Sequence, residues 1–491
     1  MNKLGAIDAN FLYTETDLMP NHIGSVQKFA IPEGVSGSEW VSTLRDYVGA
    51  RVHRVDYMHR KLQFAPGNLD HPMWVEAGDV NMEDHIVEVP VEAPGSMAQL
   101  EQAIATIHER RMDLTRPLWK MHVVTGLEDG TVAVYNQIHH AAIDGVSGQL
   151  AIMMIMDTKP EHDAVDPVRF EPEETGVAEQ LHLSFENLLK YQLSGSNRML
   201  GRIDAMRRLM QRAIDPSRSF GAFAKQAPRT CFNRAIGGKR RFAAAECDFA
   251  EMRAMSKQLG CSINDVFMAI CAGGLRRYLD RKGELPASDL IAGCPVSLRK
   301  PGDSGFGNQV TMMAVDLATS IDDPKLRLLA ISESAKTAKS VVADVAGAYD
   351  GELSLPGLPN MTTAATAAFE RFGLGSVVQP AVNVVLSNVP GPREPLYFNG
   401  ARMTTHYPVS IPAHGAGLNI TVQSYEKRVY FGITACADAV PDADQLRDDL
   451  LAAFSELKQV LLPANNVAPL RTSAATPDVN HEESVEKSKV A

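Results

Sequence analysis

One stretch of this chain dictates more about its fold than any other. Thr131–Ile138 (TVAVYNQI) is rich in β-branched residues and partly alternating, the pattern of a strand. Two histidines, His139 and His140, follow at its end, and Ala-Ala-Ile-Asp-Gly then turns the chain at Asp144 and Gly145. Consecutive side chains at a strand end point to opposite faces. One histidine can therefore face a given cavity while the other packs as a hydrogen-bonded structural group. The spacing does not say which. Histidine is the side chain best suited to take a proton from an alcohol near neutral pH. Asp144 lies across the turn and before glycine, where aspartate bonds backbone amides or a nearby arginine. That favours a structural role over orienting a histidine. Ser147 is expected to cap a helix that begins near Gly148, with Leu150, Ile152, Met153, Ile155 and Met156 in the core.

At 491 residues the chain exceeds what one compact core organises, so two domains are expected. Composition places them at residues 1–165 and 242–462, joined by a helical crossover over 166–241 and followed by a polar, disordered tail over 463–491. The crossover is basic from Leu181 to Arg241: from Arg198 onward it sets Arg202, Arg207, Arg208, Arg212 and further Lys and Arg against Asp204 and Asp215 alone. The whole chain carries −11, which argues against a general nucleic-acid binder. Six cysteines form no CxxC pair and suit reduced thiols in a cytosolic protein. The N-terminus lacks an apolar signal core, and apolar runs such as Leu150–Met156 are too short to span a bilayer. A soluble or peripherally attached protein is expected.

In the second domain, Ser262 reads as the N-cap of a helix through Tyr278, with Ile263, Val266, Phe267, Ile270 and Leu275 on its apolar face. Asp265 stands where a carboxylate closes a capping box. Asn264 could offer its amide to a cavity at the helix N-terminus. Ala381–Leu386 reads as a buried strand ended by SNVPGP, and Leu418–Ser424 and Val429–Thr434 as further strands. Asp442 is expected to cap an amphipathic helix bearing Leu446, Leu450, Phe454, Leu457 and Leu461. Gly302-Asp303-Ser304-Gly305 reads as a turn, and no GxSxG elbow occurs, so no covalent nucleophile is expected. Trp119 reads as a core or wall residue, and Met312 and Met313 as core. Adjacent histidines diverge and no HxH or HExxH is present, so no metal site is expected.

These segments together resemble the bacterial wax ester synthase/acyl-CoA:diacylglycerol acyltransferase family. The resemblance covers Leu4 to about Leu462. It rests on LGAIDANFL near the start, Pro117-Leu118-Trp119, HHAAIDG at His139–Gly145 and Asn264-Asp265, with PVSLR at Pro295–Arg299, GNQ at Gly307–Gln309, SNVPGP at Ser387–Pro392 and the Tyr407–Thr421 segment. HHxxxDG alone also fits chloramphenicol acetyltransferase and peptide-synthetase condensation domains, and the other segments choose between them. The acidic, polar tail departs from the pattern.

The resemblance implies an α/β protein of two chloramphenicol-acetyltransferase-like domains with a substrate tunnel between them. It implies His140 as general base with His139 supportive, and Asp144 paired with Arg299. Asn264 is the candidate oxyanion donor. Pro117, Leu118, Trp119 and Asn388 are expected along the tunnel. The implied reaction moves an acyl group from acyl-CoA, a co-substrate rather than a cofactor, to a long-chain alcohol or diacylglycerol, at a peripheral membrane or lipid-droplet surface. The basic crossover would meet anionic headgroups or CoA phosphates. The rival readings are an HHxxxDG transferase using carrier-bound acyl groups and a non-catalytic lipid-binding paralogue.

Overall fold

The computed structural model describes residues 2–143, 145–193, 195–297, 310–345 and 357–463. Its frame is two six-stranded sheets, numbered here in chain order. The first 140 residues supply β1 (His22–Ala30), β2 (Ile86–Pro90), β3 (Trp119–Thr125) and β4 (Val132–His139). Every residue of β4 is buried, as befits a central strand packed on both faces. Next come β5 (Arg240–Asp248), β6 (Ile291–Ser297), β7 (Val310–Asp316) and β8 (Val384–Val389), which belong to the second sheet. The chain then returns to the first sheet with β9 (Tyr397–Phe398) and β10 (Ala401–Val409), and closes the second with β11 (Leu418–Tyr425) and β12 (Arg428–Cys436). The orders are β9-β10-β1-β4-β3-β2 and β7-β6-β8-β11-β12-β5.

The return of β10 corrects the domain boundaries drawn from composition. Residues 397–409 lie inside the expected second domain, yet β10 pairs antiparallel with β1 along its length. A strand edge with free N–H and C=O groups needs a partner, and the second half of the chain provides it. Here β10 also crosses over the second sheet. Tyr425 and Tyr430 donate hydroxyl hydrogen bonds to the Met403 and Thr404 carbonyls, each 3.1 Å. Gly432 faces the Pro408 carbonyl so closely that a Cβ there would lie 1.6 Å from its oxygen.

Helices α1 (Ala6–Tyr13), α2 (Gly37–Gly49), α3 (Met97–His108), α4 (Gly145–Ile155), α5 (Val177–Leu193), α6 (Gly195–Ile214), α7 (Ile263–Arg281), α8 (Pro324–Val345) and α9 (Ala443–Leu461) pack around the sheets. On one face of the first sheet Trp40 of α2 meets Phe29, and the Tyr47 hydroxyl ties α2 to Ile155 at the end of α4. On the other face lies α3, whose Glu101 accepts the Ala244 N–H of β5 at 2.8 Å. In the second half α7 is buried almost all round. Its capping box forms as expected: Ser262 Oγ accepts the Asp265 N–H and Asp265 accepts the Ser262 N–H.

Several local expectations shift. Helix α4 begins at Gly145, so Ser147 lies buried within its first turn rather than at its cap, and Met153 faces outward. Strand β8 starts later than expected and includes Ser387, Asn388 and Val389. Asp442 makes no cap bond, because its carboxylate accepts instead from Tyr278 and Lys282. Met312 is exposed while Met313 is buried.

The basic crossover is partly paired within the fold. Arg212 of α6 is buried and donates to Asp344 at 2.7 Å. Burial would raise the Asp344 carboxyl, but Arg212 and Arg218 outweigh it and hold the group below the usual carboxylate range. Arg207 and Arg208 both pair with Asp204, at 2.8 and 2.9 Å. Three of the four arginines expected to face anionic headgroups therefore already have carboxylate partners.

The sheet crossing predicts that Gly432→Ala lowers the melting temperature by forcing β10 and β12 apart, at about 1–3 kcal/mol or more for overpacking. Calorimetry checks this; an unchanged transition would show that the crossing does not hold the two halves in place.

Candidate active site

The alternation of β4 divides the site. Asn136 and Ile138 face a cavity between the two sheets, and Tyr135, Gln137 and His139 face away from it. Just beyond the strand, His140 turns back into the cavity. Its N–H donates to the Asn21 carbonyl at 2.9 Å, and its ring stacks on Phe11 of α1 with centroids 3.9 Å apart and planes within 3°. The N-terminal LGAIDANFL segment thus serves to clamp this ring.

His139 is fully buried on the opposite side. Its N–H donates to the Leu118 carbonyl at 3.0 Å and its Nδ1 accepts the Ala141 N–H at 3.1 Å. With Nδ1 acting as acceptor, a ring proton sits on Nε2, 3.6 Å from Glu15 Oε1. Glu15 also accepts from the Asn21 N–H and from Arg111 Nε. Burial pushes the Glu15 carboxyl up, but His139 and Arg111 outweigh it and hold the group below its usual range. Further histidines back the same face. His108 Nε2 donates to the Ser410 carbonyl at 2.8 Å, so its Nδ1 accepts from Tyr135 Oη at 2.7 Å. His22 Nε2 donates to the His108 carbonyl at 3.1 Å. Burial holds His22 well below the ordinary histidine value and His108 and His406 down to about 3.

The His140 cavity measures about 100 Å³. Strand β1 contributes Ser25, α4 contributes Ile152, β8 contributes Ser387, and β11 contributes Thr421 and Gln423, while Ser410 follows β10. Gln423 is buried, and its Nε2 has no acceptor among the described residues. A buried N–H without a partner costs about 1–3 kcal/mol, and such groups persist where a ligand supplies the acceptor. Composition and periodicity did not single out Gln423, because it sits in a strand whose residues are buried on both faces.

The structure places the expected site residues unequally. Asn264 is outside the His140 cavity. Its Oδ1 accepts from Asn388 Nδ2 at 3.2 Å. Asn388 lines a different groove with Val422 and Ser424, on the face of the second sheet opposite Ser387, Thr421 and Gln423. The pleat therefore places Asn388, and Asn264 bonded to it, on the opposite face of the second sheet from the His140 cavity. Asp265 closes its capping box and accepts from Ser332 at 3.0 Å. Leu118 is core, and Trp119 is buried with its Nε1 on the Met58 carbonyl. Pro117 and Trp119 line a separate cavity on the back of the first sheet, so none of these three lines the His140 cavity. Gly145 starts α4. Asp144, Arg299 and the Gly302–Gly305 turn lie outside the described residues.

Residues 4–267 match the family model of the wax ester synthase/diacylglycerol acyltransferase catalytic domain, and residues 306–458 match that of the family's C-terminal domain. The chain belongs to this family. A putative diacylglycerol O-acyltransferase of Mycobacterium tuberculosis is 34% identical over 93% of this chain and 100% of its own length. A probable diacylglycerol O-acyltransferase of the same organism is 31% identical over 92% and 98%. The wax ester synthase/diacylglycerol acyltransferase of Marinobacter aquaeolei VT8 has a similar structure, with TM-score 0.67 and 27% identity over 94% of this chain and 100% of that one. The first condensation domain of the CDA synthetase shares the fold at TM-score 0.55 and 14% identity. The family fixes the activity as O-acyl transfer that makes wax esters or triacylglycerols.

The buried histidines predict acid sensitivity. Their folded pKa values are depressed, so between about 3 and about 6.5 the unfolded chain binds protons that the folded chain does not. Stability is full above pH 6.5 and falls as pH drops, by up to about 1.4 kcal/mol per unit for each histidine. Urea unfolding at pH 7.0 and 5.5 should show the loss, and His108→Gln should shallow the slope. Equal stability at the two pH values would contradict neutral burial.

Proposed function

We propose that His140 is the general base for transfer of an acyl group from acyl-CoA to the hydroxyl of a long-chain alcohol or diacylglycerol, with Gln423 Nε2 as oxyanion donor. One observation carries the reading: His140 and a buried amide donor without an acceptor share one cavity at the seam of the two sheets. His140 takes the hydroxyl proton as the oxygen attacks the thioester carbonyl carbon. The carbonyl oxygen becomes an anion and accepts from Gln423 Nε2. Collapse re-forms the carbonyl and breaks the carbon–sulfur bond. The thiolate of CoA leaves and receives the proton from His140, giving ester and CoA. His139 acts as a positioning residue, fixing the strand end through Leu118 and Glu15. A thioester is already activated, so the step calls for neither ATP nor Lewis acid. Ile138, Ile143 and Ile152 on the cavity wall favour a lipophilic hydroxyl over water as the attacking group.

His140→Ala is expected to lose about 10²–10⁴-fold in kcat, and Gln423→Leu about 10²–10³-fold, with melting temperatures near the parent. Asn264→Ala should cost far less turnover than Gln423→Leu. CoA release from palmitoyl-CoA with hexadecanol or dioleoylglycerol measures all three. Near-parent turnover in Gln423→Leu would remove it as donor. Turnover only with carrier-bound acyl groups would overturn the acyl-CoA reading.

A lipid-surface location is supported by an apolar stripe rather than by the arginines. On α6, Met199, Ile203, Met206, Met210 and Ile214 recur every three to four residues, and on α5 Phe185, Leu189 and Leu193 recur every four. All are exposed, Leu193 and Ile214 to 81% and 80%. Among the described residues no single helix is long and apolar enough to cross a membrane. The stripe instead suits an in-plane contact with the acyl boundary of a lipid surface. Replacing Ile203, Met206 and Met210 with Gln should abolish liposome flotation at about 1 kcal/mol per side chain, and the parent should still float in 1 M salt, where the Debye length is about 3 Å. Undiminished flotation of the triple variant, or release of the parent by salt, would contradict this.

A further inference from the structure

We propose that the back face of the first sheet holds a second binding site, for a single-chain amphiphile with an anionic head. A cavity of about 940 Å³ opens between α3 and strands β2 and β3. That volume is in the upper part of the about 300–1,000 Å³ typical of small-molecule sites. Strand β4 separates it from the reaction cavity, because Gln137 faces this one while Asn136 and Ile138 face the other. Val87 and Val89 of β2 and Ala103 and Ile107 of α3 give it an apolar wall. Lys120, on an interior strand, and Arg110, just after α3, supply two cations.

Those two cations, against the single carboxylate of Glu92 on the lining that carries no ion pair among the described residues, set the ligand's charge. The neighbouring Arg111 pairs with Glu15 and Asp17, and Arg116 with Asp84 and Asp113. Neither Arg110 nor Lys120 forms an ion pair with any described residue. Lys120 is the more telling of the two, since a half-buried ammonium on a sheet face is rarely left without a carboxylate. Between the cations and the apolar wall, His122 Nε2 lies 3.0 Å from Gln137 Oε1. Burial, with Lys120 and Arg110 adding to it, holds His122 down to about 4, so the ring is neutral and adds no further charge near neutral pH. Two cations beside a long apolar wall match a fatty carboxylate, with its head on Arg110 and Lys120 and its chain along Val87, Val89 and Ile107.

The proposal does not depend on His140 as base, and its test can fail independently. Palmitate below its micellar concentration is titrated into the full-length protein by calorimetry, with His140→Ala as a second parent. Both should bind one equivalent with equal affinity. Arg110→Gln with Lys120→Gln should weaken binding about tenfold, the equivalent of about 1.4 kcal/mol. Ala103→Trp should weaken binding by setting an indole across the apolar wall where the chain would lie. The double variant alters partly exposed residues and tests the site even if Ala103→Trp does not fold. A diazirine analogue of palmitate should label peptides from 86–122. Labelling confined to α4 and β11, or palmitate affinity unchanged in the double variant, would overturn the proposal. So would CoA without an acyl chain binding with equal affinity and the same dependence on Arg110 and Lys120, since the cations would then read phosphate.

Discussion

The pairing of β10 with β1 is the constraint on which the rest depends. It inserts a strand from the second half of the chain into the first sheet and brings β11 opposite the end of β4. The reaction cavity has walls from both sheets for that reason. Neither half alone assembles the site: the first supplies the histidine and the second the amide. The 1.6 Å that a Cβ at Gly432 would leave to the Pro408 oxygen shows how closely the halves approach. Interfaces this tight have few alternative packings, so the backbones that carry His140 and Gln423 are held in one relative position.

The two faces of β4 divide the work. One presents His140 to the reaction cavity. The other buries His139, Tyr135, His108 and His22: the Ala141 N–H donates to His139 Nδ1, while His108 and His22 each set Nε2 on a backbone carbonyl. A buried polar network is stabilising only when its members are satisfied. Here the His108 and His22 bonds to carbonyls back the strand end, while His140 faces the cavity on the other side. The stacking of Phe11 holds the His140 ring from the α1 segment, while the Asn21 carbonyl holds the His140 backbone N–H just beyond the strand.

Much of this was legible in the sequence. Alternation and β-branching locate β4, β11 and β12 to within a residue or two, and the Ser262–Asp265 capping box marks the start of α7. The divergence of His139 and His140 follows from the strand period alone. What could not be read is which elements meet across the fold. Nothing in Ala401–Val409 announces that its partner is nearly 400 residues away. Asn264 stands at a helix N-terminus, a reasonable place for a donor, but the pleat puts its partner Asn388 on the wrong face of the second sheet. Gln423 lies in a strand buried on both sides, where period gives no face. The arginines of the crossover gave a charge count without showing that Asp344 lies outside the crossover and joins it only in the fold.

The most direct test of this account is a crystal structure with a CoA thioether analogue whose ketone replaces the thioester carbonyl. The account predicts its oxygen about 2.7–3.1 Å from Gln423 Nε2, with the His140 ring on the side from which a hydroxyl would attack. A ketone oxygen bound instead to Asn264, beyond the second sheet, would contradict it.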